Sequence, residues 1–183
     1  ETIPAIIRDF TDEEMMQVAL LENLQREDLS AIEEAKAYKS IIETLKLTQD
    51  EEYRKSHPNI REGVGLAAPQ IGVNKKMIVV YFKLNENEYV RHLLINPKII
   101  STSFKLTYLS NGEGCLSVDK NHDGYVYRHN KIVVKAYDAY LDKDVEIKAT
   151  GFEAIVLQHE IDHLDGKLYY DRINKLNPFN KIS

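Results

Sequence analysis

Cysteine is almost missing from this chain: its 183 residues include one, Cys115. An internal disulfide is therefore excluded, and the thiol is left as a small buried hydrophobe, a reactive group or a metal ligand. Also lacking is any uninterrupted apolar run near the roughly 20 residues of a membrane span, so no membrane partner is expected. The first residues, ETIPAIIRDF, have neither the basic leader nor the apolar stretch of a secretory signal, and a cytoplasmic location is the expectation. There is no excess of positive charge. The 24 Lys and Arg are outnumbered by 29 Asp and Glu, for a formal net charge of −5, which gives no global reason to bind DNA or RNA. Internal repeats and low-complexity tracts are absent as well. The remainder is a soluble-protein composition, 43% hydrophobic and 29% charged, long enough for one domain with a sizeable core and an appendage.

Gly and Pro are scarce over residues 11–57, where helix patterns dominate. Met15, Met16, Ala19, Leu20 and Leu24 recur at spacings of three and four, and Ile32, Ala35, Ile42 and Leu45 form a second stripe. Ser30 with Glu33, and Thr48 with Glu51, fit capping boxes. Three helical pieces are expected. From Gly63 the texture changes to the β-rich runs KMIVVYF, EYVRHLLINPKII, FKLTYLS, KIVVKAYDAY and KDVEIKAT, separated by Asn, Gly, Asp and Ser. Gly151 breaks the last run, and FEAIVLQHEIDHLDGK reads as a final helix stopped by Gly166. The fold class expected is α+β.

On that helix His159 and His163 stand four apart, so both imidazoles can reach one ion from the same face. Glu160 follows the first histidine and can reach a metal-activated water without being a ligand, the arrangement of metal-assisted hydrolysis. A catalytic site needs a third protein ligand and an open position. No histidine follows His163, and the downstream acids are only Asp165 and Asp171, which weakens a protease of the HExxH type. Upstream, Cys115 sits in NGEGCLSVD, where Gly114 would let the backbone turn and present the thiolate. A Cys, His, His set suits Zn(II), Fe(II) or Ni(II).

Three stretches, GVGLAAPQ (63–70), EGCLS (113–117) and QHEIDH (158–163), resemble the motifs of peptide deformylase, in that family's order and spacing. The similarity runs from about Glu51 to the end, and the segment after the cysteine resembles the type found in Gram-positive bacteria. The resemblance implies antiparallel sheets wrapped around a central metal-binding helix. It implies removal of the formyl group from N-formylmethionine of nascent proteins, with formate released. Cys115, His159 and His163 match the ligands of one divalent ion, usually Fe(II), with Zn(II) or Ni(II) as substitutes. Glu160 matches the general base, Gln70 and the backbone N–H of Leu116 the donors to the reacting oxygen. Val64, Ile155 and Val156 match the methionine pocket; Gly63 and Gly65 allow a peptide to approach the main chain. Glu113 and Arg128 fall where the family has a buried ion pair. N-formylmethionyl peptides, met near the ribosome in a bacterial cytoplasm, are the implied partners. His57, His92, His122 and His129 read as surface or loop residues.

Residues 3–52 resemble a different family, the ParB chromosome-partitioning proteins, with ENLQRED (Glu22–Asp28) similar to their nucleotide-contacting box. The arginine-rich box before it and the complete helix-turn-helix after it are missing, so Asn23, Gln25 and Arg26 read as vestigial and no DNA partner is expected. The expected organisation is a helical segment 1–50, joined near TQDEEYRK to a catalytic domain 51–183. A deformylase impaired by this foreign start is the alternative, and a nucleotide- or DNA-binding fragment a more distant one. The stripe from Ser30 to about Leu47 could nevertheless cover the surface that the family's first helix covers.

Overall fold

The computed structural model describes residues 31–58, 61–118 and 120–181. The helix expected over 11–28, and with it Glu22–Asp28, lies outside the described residues. Helix α1 (Ala31–Gln49) and the short α2 (Glu51–Ser56) come first. Strand β1 (Gly65–Ala67) and a 3₁₀ turn (Ala68–Ile71) follow, then β2 (Met77–Asn85), β3 (Glu88–Thr102), β4 (Leu106–Thr107), β5 (Arg128–His129), β6 (Lys131–Asp138) and β7 (Lys143–Thr150). Helix α3 (Phe152–His163) and a second 3₁₀ turn (Tyr169–Arg172) complete the order.

The unbroken apolar run of KMIVVYF becomes a strand packed on both faces of one sheet. Five strands pair antiparallel in the order β1-β2-β3-β6-β7, and β4 pairs with β5 in a small second sheet. On β2, Ile78, Val80 and Phe82 point to one face, where Ala154, Val156 and Leu157 of α3 pack with them. Met77 and Val79 point to the other, where Ala37, Ile41 and Leu45 of α1 pack against Leu66, Ala68 and Leu93. Each large side chain buried this way stabilises by about 1.5–3 kcal/mol before entropy is counted. Among the described residues no helix is long and apolar enough to cross a membrane.

Several local expectations shift. Ile41 rather than Ile42 is the centre of the α1 stripe, with Ile42 at its rim. Thr48 does not cap α2, because α1 continues through Gln49; Asp50 is the cap, its Oδ1 accepting from the Tyr53 N–H at 2.7 Å. Of FKLTYLS only Leu106 and Thr107 enter a strand, since their partner β5 is two residues long. Helix α3 ends at His163, ahead of Gly166, which takes a φ of 69° in the turn beyond.

Candidate active site

Helix α3 runs through the middle of the molecule, and residues 154–160 are all buried along with Asp162 and His163. The HEIDH stretch therefore lies in the interior, with Ile161 partly buried and His159 and Glu160 facing a cavity. Opposite it, the cysteine loop is anchored by a separate small core of Cys115, Val118, Val126, Leu168 and Tyr169. The left-handed turn entering that loop is made by Gly112, at φ 76°, and not by Gly114.

These two elements bring Cys115, His159 and His163 together, with one ligand atom from each lying within 4.8 Å of the others. Cys115 Sγ and His163 Nε2 are 3.2 Å apart. A tetrahedral ion bonded to sulfur and nitrogen sets ligand atoms roughly 3.3–3.6 Å apart, so the donor set fits a divalent ion. His159 turns its Nδ1 to Glu113 Oε2 at 2.8 Å, which leaves Nε2 for the shared face.

Charge underneath the site is fully matched. Arg128 donates from Nε and Nη2 to the two Glu113 oxygens at 2.7 and 2.8 Å, and from Nη1 to Asp162 Oδ2 at 2.6 Å. Arg172 donates from Nε and Nη2 to the same aspartate. Burial alone would raise the Glu113 and Asp162 carboxyls, but for Glu113 the hydrogen bonds from Arg128 and His159, and for Asp162 those from Arg172 and Arg128, hold both below the ordinary range. The expected Glu113–Arg128 pair is thus part of a longer chain. Asp162 lies inside the HEIDH motif as a charged residue on a helix otherwise bound for the interior, whereas Arg172 carries no signal in the sequence.

Burial pushes His159 down, yet its hydrogen bonds with Cys115 and Glu113 prevail and lift it to about 10. His163 is driven to about 3 by burial and by His159. Burial lifts Glu160 to about 7, opposed only in part by His159 and Arg128. Among the described residues, Glu160 Oε2 and His163 Nδ1 are buried with no hydrogen-bond partner. The Glu160 carboxylate packs on the bare Cα of Gly65, where an added Cβ would stand 2.5 Å from Oε1.

A cavity of about 220 Å³ opens over this cluster, lined by Val64, Gly65, Gln70, Cys115, Leu116, Ile155, Val156, His159 and Glu160 among others. Gln70 is fixed by accepting the Ala67 N–H at 2.7 Å, and its Nε2 donates to Ser117 Oγ at 2.7 Å with Cys115 Sγ 3.6 Å away. Ser117 is a site residue that sequence reasoning passes over, although it belongs to EGCLS. Of the remaining histidines, His57 is exposed. His92, expected at the surface or in a loop, is instead a half-buried residue of β3 that meets Glu153 on α3 at 2.9 Å. His129 lies in β5, and its Nδ1 is 2.7 Å from the Ser103 carbonyl.

Comparison with known proteins matches this arrangement to a family. The polypeptide deformylase family model matches residues 17–179. Peptide deformylase 2 of Bacillus anthracis is 48% identical over 147 residues, covering 80% of this chain and 79% of the relative. A probable peptide deformylase from Synechococcus phage S-SSM7 superposes with a TM-score of 0.64 at 33% identity, over 84% of this chain and 93% of that one. The peptide deformylase of Synechococcus elongatus, solved in complex with actinonin, superposes with a TM-score of 0.61 at 31% identity, over 84% and 77%. The family match begins inside the segment that resembles the partition proteins, and the comparisons give that second resemblance no support. With its motifs folded around one cluster and the family matched over most of its length, this chain belongs to the polypeptide deformylases.

Proposed function

We propose that Cys115, His159 and His163 hold a divalent ion, and that the residues around it remove the formyl group from N-formylmethionyl peptides by hydrolysis. The observation that carries this reading is the buried Glu160 Oε2, without a hydrogen-bond partner among the described residues, beside three candidate ligand atoms within 4.8 Å of one another. When bound, the ion supplies Lewis acidity and brings the pKa of water toward about 7. Glu160 takes the proton of the attacking water and returns it to the departing amine. Gln70 Nε2 and the Leu116 N–H donate to the formyl oxygen as negative charge grows on it. Val64, Ile155 and Val156 receive the methionine side chain, and Gly65, whose bare Cα makes room for the Glu160 carboxylate, lines the same cavity. Glu113, braced by Arg128, keeps the His159 ring oriented.

Fe(II) is the native ion in this reading, as the family resemblance implies; a thiolate with two imidazoles accepts Zn(II) and Ni(II) as well. The enzyme works in the bacterial cytoplasm, near ribosomes that deliver its nascent substrates. The catalytic unit includes α1, whose buried stripe covers one face of the sheet, so the core is not left open at residue 50. Formate release from an N-formylmethionyl tripeptide, with iron- or nickel-loaded protein under anaerobic conditions, tests the reading. Steady turnover is expected; loaded, folded protein that releases no formate would overturn it.

A further inference from the structure

At Gly63 three parts of the molecule meet. A Cβ built there would stand 2.7 Å from Leu116 Cδ1 on the cysteine loop, and 2.9 and 3.1 Å from Thr48 Oγ1 and Leu45 Cδ1 on α1. Both backbone groups of this glycine are held from α1. Its N–H donates to Thr48 Oγ1 at 3.1 Å, and its C=O accepts from Gln49 Nε2 at 3.0 Å. The same Nε2 donates to the Tyr81 C=O on β2 at 2.9 Å, so one amide ties the end of α1 to two adjacent parts of the sheet. Thr48 is fixed in turn, its hydroxyl donating to the Leu45 C=O at 2.7 Å.

Beyond Gly63 the chain forms the outer edge of the sheet, beside the cavity. The Tyr81 N–H donates to the Val64 C=O at 2.9 Å, which turns Val64 toward β2. Successive residues of an antiparallel strand alternate sides, so the N–H and C=O of Gly65 face outward. Farther along, the Ala67 N–H is taken by Gln70 Oε1. The edge is thus pinned at Gly63 and at Ala67, with Gly65 as the rung presented to a peptide. Strand β1 is three residues long, and a ladder that short does little to fix its own position.

We propose that Thr48 and Gln49 are positioning residues for peptide binding: by gripping Gly63 on both backbone groups, they set the edge against which the chain downstream of formylmethionine pairs. This rests on the deformylase reading of the site. A peptide meeting a fixed edge loses only its own freedom on binding, whereas a loose edge must be ordered as well.

The test uses the full, metal-loaded chain with Gln49→Met and Thr48→Val, which keep side-chain bulk and lose the hydrogen bond, and with Thr48→Ser, which restores it. Two probes are compared, an N-formylmethionyl tripeptide and N-formylmethionine itself, which lacks the downstream chain. The loss of one such bond is expected to raise KM for the tripeptide about 5- to 10-fold while kcat stays within about twofold. Thr48→Ser should behave as the parent, and kcat/KM for N-formylmethionine should be unchanged in all three. Equal losses on both probes, or an unmoved tripeptide KM beside a lowered thermal midpoint, would overturn the proposal and leave the pair as scaffold. Absence of formate release from the loaded parent on either probe would overturn the deformylase reading and this proposal with it.

Discussion

Helices α1 and α3 lie against opposite faces of one sheet and are buried in opposite ways. Around α3 the protein closes except at its first turn and where the cavity opens, and its polar residues Gln158, His159, Glu160, Asp162 and His163 are interior. Helix α1 buries the stripe Ala37, Ile41, Leu45 and Thr48 and leaves Lys39 and Glu43 in water. An amphipathic cover needs only apolar groups at the right spacing. On an interior helix a charged group without a specific partner costs several kcal/mol, so most of those on α3 are paired and Glu160 stands out. The site is on the helix where substitutions are least interchangeable, and only the last two residues of α1 share in that constraint.

The contrast is open to attack by mutation. Glu160→Gln should lower kcat by about 10²- to 10⁴-fold, with metal content unchanged by elemental analysis and a thermal midpoint that holds or rises as an unpartnered buried carboxylate is lost. Arg128→Leu strips both Glu113 and Asp162 of their buried cation and should cost about 3–5 kcal/mol in denaturant unfolding; a neutral result would show that the chain of charges is not what secures α3. Ile41→Ala opens a cavity under α1 and should cost about 2–4 kcal/mol while kcat per folded molecule is kept. A kcat loss like that of Glu160→Gln would end the distinction between cover and site. Lys39→Gln removes a pair whose side chains are 75% and 60% exposed, and its effect on the unfolding midpoint should correspond to less than about 0.5 kcal/mol.

The same contrast governs how much the sequence discloses. The strands are legible because β2 is an unbroken apolar run packed on two faces, and α1 because its apolar spacing survives as a single stripe, shifted from Ile42 to Ile41. Helix α3 shows little periodicity, since it is enclosed on most sides, and HEIDH marks it instead. The ligand set and the Glu113–Arg128 pair come from motifs and from resemblance. Arg172 and the Thr48–Gln49 grip are not legible: each contact joins residues far apart in the sequence or a side chain to a backbone group, and neither leaves a local pattern. His92 misleads because a lone histidine in a strand run does not announce the carboxylates opposite it, Glu153 and Asp138.

In the EGC stretch, Cys115 offers its sulfur, and two residues earlier Glu113 holds the His159 ring, so a single loop presents one of the three candidate ligands and steers another. An excursion of that loop would withdraw the first and free the second in one event. Escape of an ion held there would then be clocked by how often the loop opens.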